Sequence, residues 1–265
     1  MQQAFDTIAE DYDTSFTQTL IGTAQRNLVM NYLDNHLSIN KKLNVLELNC
    51  GTGEDALWFA KRGHSVLATD ISEEMLAITQ KKINDAKLES RVHTLKLDIS
   101  QIKNFSFKEK FDLVFSNFGG MNCLSPDEMT KLPSEIKKLL NTNGQLIMVL
   151  MPAFCIWETI YFLSKLQFRK AFRRIGKNGT IANMDRSQLK IFYYSPRKIK
   201  RIFESSFSTN ALQPIGFFLP PSYLENFFKK KYKLFTRLIQ FEHSISKQQY
   251  LSGLSDHFLI DLQLK

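Results

Sequence analysis

Cysteine is scarce and scattered: the 265 residues hold three, Cys50, Cys123 and Cys155, none of them in CxxC spacing. That spacing excludes a disulfide framework and a cysteine-based zinc site, and it suits a reducing, cytoplasmic setting. No metal site is expected. The N-terminus MQQAFDTIAEDYD lacks the basic and apolar regions of a secretory signal. No uninterrupted apolar run reaches membrane-spanning length. The nearest, Leu146 to Leu163, is broken by Pro152 and Glu158 and reads as a buried strand ending at Pro152, followed by a helix. Repeats, low-complexity tracts and a clean interdomain linker are also missing.

The remaining composition is ordinary. Hydrophobic residues make up 43% and charged residues 23%, as in a globular domain. The net charge of +9 opens three partner classes: nucleic acid, an anionic membrane surface and acidic small molecules. The charge is uneven. Basic residues thicken in KLQFRKAFRR, PRKIKR and FFKKKYK, all from Lys165 onward, whereas most acids lie in the first half.

From Leu43 short apolar runs alternate with amphipathic segments, a βα rhythm that predicts a parallel sheet covered on both faces. The strands are LNVLEL, SVLATD, VHTLKLD, FDLVFSN and GQLIMVLM. Ser72 and Ser125 read as helix N-caps, Pro133 as a kink or break, and NTNG as the turn closing the helix from Ser125. After Met151 the rhythm gives way to an apolar helix with a basic tail (Phe154 to Arg174), a hairpin, a helix capped by Ser195, a strand-like LQPIGFFLPP and a basic aromatic helical stretch. A final strand, DHFLIDLQLK, ends the chain. The expected division is a cofactor core with entry helices over 1–151, a lid with late sheet elements over 152–250, and a last strand over 251–265.

VLELNCGTGEDA, Val45 to Ala56, carries the chemistry: strand, glycine turn, helix. Gly51, Gly53 and Ala56 satisfy GxGxxA, and Asp70 ends the next strand 19 residues after Gly51, where a carboxylate can accept ribose hydroxyls. A dinucleotide-dependent dehydrogenase is the rival. Glu54 and Asp55, however, stand at the helix N-terminus where a diphosphate would sit, and their charge favours a phosphate-free ligand. A P-loop is excluded, since no Gly-Lys-Ser/Thr follows.

ELNCGTG, Thr69–Asp70, LDIS at Leu97 to Ser100, and FDLVFSNFG at Phe111 to Gly119 occur in order on the expected elements. In these motifs the chain resembles class I S-adenosylmethionine-dependent methyltransferases, especially the small-molecule type related to quinone-biosynthesis enzymes. The resemblance covers about residues 5 to 151 and the last strand. It implies a Rossmann-like, doubly wound α/β fold with a mostly parallel seven-stranded sheet and a helical, aromatic lid inserted before the last strands.

By that resemblance Glu47, Asn49, Gly51 and Gly53 line the methionine part of S-adenosylmethionine. Asp70 holds the ribose, Ile71 packs beside the adenine, and Asp98 and Ile99 receive the adenine edge. Ser116 and Asn117 face the transferring methyl. Tyr12, in the entry segment, closes over the methionine carboxylate or serves as a half-buried aromatic anchor, and Arg26 supplies a counter-charge or an ordinary surface or helix-face ion pair. Asn49 replaces the family's first glycine, and asparagine tolerates the positive φ such a turn needs.

Methyl transfer from a sulfonium needs alignment, and a base only where the acceptor must lose a proton. His243 and His257 are the candidate bases. Asn122 and Cys123 follow the fourth strand closely enough to reach an acceptor. The aromatic, lysine-rich lid suits a small apolar, aromatic or lipid-like acceptor with an acidic group, and also a peripheral membrane contact. Two alternatives stand beside this reading: an RNA or protein methyltransferase, although SNFGG is not an NPPY-type motif and nucleic acid is not the expected partner, and a catalytically silent binding module at a membrane surface.

Overall fold

A computed structural model describes residues 2–37, 41–176, 178–184 and 187–265. The turn of the expected hairpin, 185–186, lies outside the described residues. Helix α1 (Gln2–Tyr12) runs through a π turn at Asp13–Thr17 into α2 (Leu20–His36). Then come β1 (Asn44–Leu48), α3 (Glu54–Lys61), β2 (Ser65–Asp70), α4 (Glu73–Asp85), β3 (Val92–Lys96), β4 (Phe111–Ser116), α5 (Pro126–Leu139) and β5 (Leu140–Leu150). The second half holds α6 (Ile156–Ser164), α7 (Phe168–Ala171), a hairpin of β6 (Thr180–Met184) and β7 (Ser187–Ile191), α8 (Pro196–Phe203) and β8 (Phe207–Ile215). It ends with α9 (Glu225–Lys230), α10 (Tyr232–Ser244) and β9 (His257–Leu264).

The main sheet is seven-stranded in the order β3-β2-β1-β4-β5-β9-β8. Strands β3, β2, β1, β4 and β5 pair in parallel, while β9 runs antiparallel to both β5 and β8. The order reverses between β1 and β4, and in open α/β sheets a ligand crevice forms beyond the strand ends at that reversal. Apolar side chains fill both faces. One core packs Leu28, Leu33, Phe59 and Phe115 under α2 and α3; the other packs Leu46, Met129, Ile136 and Phe203 under α5 and α8.

Local signals hold where a side chain can act on its own turn. The Ser72 hydroxyl accepts the Met75 N–H at 3.1 Å, and Ser125 with Glu128 forms a full capping box. Two expectations are corrected. The break expected as one outcome at Pro133 does not occur: helix α5 runs on through it, because Met129, Leu132 and Ile136 are buried on both sides of the proline and the capping box secures its start, which outweighs one lost N–H bond. NTNG does not end the helix in a free turn but lies within β5, where the register against β4 shifts between Phe111 and Leu113 and Asn143 takes φ 62. Turn chemistry is used there as a strand irregularity.

Helices α9 and α10 are fastened by buried carboxylates. Glu225 accepts the N–H groups of Leu20 and Ile21 at 2.7 and 3.0 Å, satisfying the open first turn of α2. Glu242 accepts the four N–H groups of Gly216, Phe217, Phe218 and Leu219. Among the described residues no helix is long and apolar enough to cross a membrane. Replacing Glu242 by alanine leaves those four donors buried without partners. Urea unfolding is expected to show a loss of about 3 kcal/mol for Glu242→Ala; a change within experimental scatter would refute the fastening role.

Candidate active site

The loop after β1 bends back on itself through left-handed conformations at Asn49 (φ 59), Gly51 (φ 55) and Gly53 (φ 80). Asparagine thus takes the turn that its backbone tolerance allows. The two glycines serve different ends. A Cβ on Gly51 would meet only the Tyr12 ring, at 3.9 Å, so this backbone faces open space; a Cβ on Gly53 would lie 2.5 Å from Thr79 Cγ2, so that glycine lets α4 approach. Gly120, which the sequence did not single out, lets the loop after β4 come against Asn49, since its Cβ would lie 2.5 Å from Asn49 Cβ. The paired glycines of FGG were the available signal.

Asp70 is buried at the end of β2 and accepts the Gly51 N–H at 2.9 Å and the Ser72 N–H at 3.0 Å. Burial raises its pKa against the pull of these donors. The Ser72 hydroxyl in turn donates to Asp6 of α1 at 2.6 Å, which ties the entry helix across the strand ends.

Behind the loop sits a charged cluster. Arg26 of α2 pairs with Asp55 at the start of α3, and Asn117 Nδ2 donates to the other Asp55 oxygen at 2.9 Å. The Arg26 guanidinium also lies 5.2 Å from the Phe118 ring centre. Glu54 and Asp13 both pair with Lys82, at 2.6 and 2.5 Å. This revises the electrostatic argument from sequence: Glu54 and Asp55 do not stand open before the loop, because Lys82 and Arg26 neutralise them. Among the described residues of the site, Asp6, Asp70 and Glu47 are the acids without a cation of their own. Glu47 is 1% exposed, and burial, then the Asp55 charge, push its pKa well up while Arg26 opposes them. Burial likewise pushes the Tyr12 hydroxyl to about 12.

Among the described residues Glu47 Oε2, Asn49 Oδ1, Ser116 Oγ and Arg26 Nε are buried without a hydrogen-bond partner. Unpaired buried polar atoms are costly. These four sit at the ends of β1 and β4 or on the helix facing them, and the set of two acceptors, a hydroxyl and a guanidinium N–H matches an amino-acid end group carrying one ammonium and one carboxylate.

A cavity of about 180 Å³ opens here, with Tyr12, Asn49, Gly51, Asp70 and Asn117 in its wall. A second, of about 390 Å³, shares Tyr12, Phe118 and Met151 with it and extends to Arg173, Tyr223 and His257. The structure therefore gathers part of the expected set at the first cavity and holds Arg26, Glu47 and Ser116 outside its lining, while Gly53 is spent on packing. Ile71 follows Asp70 but does not line it. Asp98 caps the turn after β3 by accepting the Ser100 N–H at 2.9 Å, and the Ile99 side chain is buried in the core under α5. Neither lines the cavity.

The candidate bases separate. His257 lines the second cavity, its Nδ1 3.3 Å from Asp256 Oδ2 and its ring edge-on to Phe118. His243 is exposed on α10, across a cleft from α2, and it opens on a 630 Å³ cleft with Tyr32 and Asn210 that shares no wall with the other two. Asn122 is fully used, bonding Met151 and Phe192 backbone on both sides. Cys123 lines the first cavity, but burial pushes its thiol to about 12. Arg173 and Arg174 both bind Glu158, and Arg174 also reaches Asp256 at 2.8 Å. This lid cluster was not legible locally, since Arg174 and Asp256 are 82 residues apart.

Residues 45–144 match a family model described as a methyltransferase domain. A putative methyltransferase of Bacillus subtilis (strain 168) is 29% identical over 122 residues, 46% of this chain and 47% of that protein. One of Geobacillus sp. (strain WCH70) is 35% identical over 107 residues, 39% and 40%. These matches span under half the length of either relative. Magnesium protoporphyrin IX methyltransferase from Synechocystis PCC 6803, with bound SAH, superposes with TM-score 0.58 and 15% identity over 92% of this chain and 85% of that one, a likeness of fold. Residues 45–144 are thus similar to a methyltransferase domain, and the chain shares its Rossmann-like fold with a solved methyltransferase.

Burial alone would raise the Asp256 carboxyl, but His257 and Arg174 override it and hold it far below the usual carboxylate range. A depressed folded-state pKa contributes stability above the unfolded value, about 4, and loses it as pH falls toward the folded one. Asp256→Asn is expected to cost about 3 kcal/mol at pH 7, with the gap to the parent narrowing progressively below about pH 4 in urea titrations. A gap that is constant with pH would contradict the assignment.

Proposed function

We propose that the chain binds S-adenosylmethionine at the Gly51 cavity and transfers its methyl group to an oxygen or nitrogen of a small, fairly apolar, aromatic or lipid-like acceptor in the His257 cavity. The observation that carries this reading is the shared wall: Tyr12, Phe118 and Met151 border both spaces, so a ligand in one abuts a ligand in the other. The four orphaned polar atoms at the strand ends support the amino-acid end of that cofactor.

When bound, the cofactor supplies an electrophilic methyl group on a sulfonium. In this reading Asp70 accepts the ribose hydroxyls with the lone pairs left over from Gly51 and Ser72. Glu47 and Asn49 accept from the ammonium, and Arg26 Nε and the Tyr12 hydroxyl donate to the carboxylate. Phe118 and Met151 exclude water between the two spaces, which favours displacement by raising effective concentration and removing competing solvent. His257 holds its Nδ1 toward Asp256, and its other ring nitrogen takes the acceptor's proton where the acceptor must lose one.

Calorimetry with S-adenosylmethionine and S-adenosylhomocysteine tests the cofactor half. Both are expected to bind, and Asp70→Asn to weaken each by about 10- to 100-fold, the worth of hydrogen bonds to a charged group. Folded parent protein that binds neither would remove the proposal. For the acceptor half, His257→Gln is expected to leave S-adenosylhomocysteine affinity unchanged while slowing methyl uptake by phenolic extracts by about 100-fold; an equal loss in both would assign His257 to cofactor binding instead.

A further inference from the structure

The lid spends its acids internally. Between Glu158 and Asp185, and again between Glu225 and Glu242, the sequence contains no acidic residue. Glu158, Glu225 and Glu242 are all buried, the first under Arg173 and Arg174 and the others on backbone N–H groups. What α6, α7, α9 and α10 show to solvent is therefore basic, apolar or uncharged polar, with no acid among it. Lys165, Arg169 and Lys170 are exposed beside Leu166, Phe168, Phe172 and Ile175; Lys229, Lys230, Lys231 and Lys233 are exposed beside Phe227, Tyr232 and Leu234.

The segments carrying these two groups adjoin: the Tyr161 and Tyr223 rings meet at a tilt with centres 4.6 Å apart, and beneath them Trp157 meets the buried Phe228 edge-on at 6.4 Å. Leu166 lies between α6 and α7. This residue is 77% exposed and takes φ 56, a left-handed conformation that costs a non-glycine residue roughly 1–2 kcal/mol. The fold thus accepts backbone strain in order to break α6 from α7 and hold an apolar side chain out in water. Phe168, 61% exposed, follows it.

We propose that this face docks on an anionic lipid bilayer, with Leu166, Phe168 and Phe172 entering the headgroup–acyl boundary and the surrounding lysines and arginines meeting lipid phosphates. The complementarity is twofold: interfacial binding scales with buried apolar area plus attraction to anionic lipid, and this surface offers both with no exposed acid among its described residues to oppose them. Tyr223 belongs to this face and to the wall of the larger cavity, so the docked lid places that cavity's mouth at the lipid boundary. The proposal stands apart from methyl transfer, since it concerns the lid alone.

Flotation of the full chain with vesicles of phosphatidylcholine alone, or mixed with phosphatidylglycerol, tests it without cofactor. Binding is expected only to the mixed vesicles, falling with added salt. Lys165→Glu/Lys170→Glu and, independently, Lys230→Glu/Lys233→Glu are each expected to weaken it by more than about fivefold per removed charge, and Leu166→Ser/Phe168→Ser by at least about tenfold. Unchanged far-UV circular dichroism and S-adenosylhomocysteine affinity in the same variants exclude misfolding as the cause, and any variant that fails this control is replaced by the other charge pair. No flotation, equal flotation with neutral vesicles, or undiminished binding by folded variants would overturn the proposal. So would steeply salt-dependent binding of RNA by a protein that ignores vesicles.

Discussion

The ion pair between Arg26 and Asp55, completed by Asn117, is the interaction on which the site depends. It joins a helix that precedes the sheet, the first turn of α3 and the end of β4, three segments that meet only at the strand-order reversal. A carboxylate at a helix N-terminus is favoured by the helix dipole, and here it also fixes a guanidinium whose Nε is left without a hydrogen-bond partner. Glu47 then remains buried with a cation nearby but not bonded to it. The cluster is consequently held in place by internal pairs and yet leaves buried donors and acceptors without partners near the strand ends.

A second division of labour runs through the lid. Its carboxylates are consumed in fastening it: Glu225 to the start of α2, Glu242 to the turn after β8, Glu158 to the paired arginines. Buried charges without partners are expensive, so each of these acids comes with a full set of donors. The outcome is that the acids of α6, α9 and α10 are internal, and the exposed charges of these helices are basic. The same arrangement positions Asp256 between Arg174, Gln25 and His257, which links the fastening of the lid to the wall of the larger cavity.

Much of the sheet was legible because its signals are local. Five parallel strands, the caps at Ser72, Ser125 and Ser195, and the positive φ of Asn49 all follow from residue type and period. Pro133 and NTNG were misread because burial on either side of a proline, and an irregularity opposite a neighbouring strand, are tertiary facts. The roles of Glu54 and Asp55 were misread for the same reason: their cations, Lys82 and Arg26, are each about 28 to 29 residues away. His243 and His257 look alike in sequence, and only the position of α10 across from α2 sends one to a separate cleft. The motifs place Asp98 and Ile99 after β3, where Asp98 accepts the Ser100 N–H and the Ile99 side chain packs in the core.

A crystal structure of the chain soaked with both S-adenosylhomocysteine and NADH is the most direct measurement of the central claim. The account predicts S-adenosylhomocysteine alone, its amino-acid end against Glu47, Asn49 and Arg26 and its ribose hydroxyls on Asp70. Diphosphate density against the N-terminus of α3, with the Arg26–Asp55 pair opened to receive it, would contradict the account.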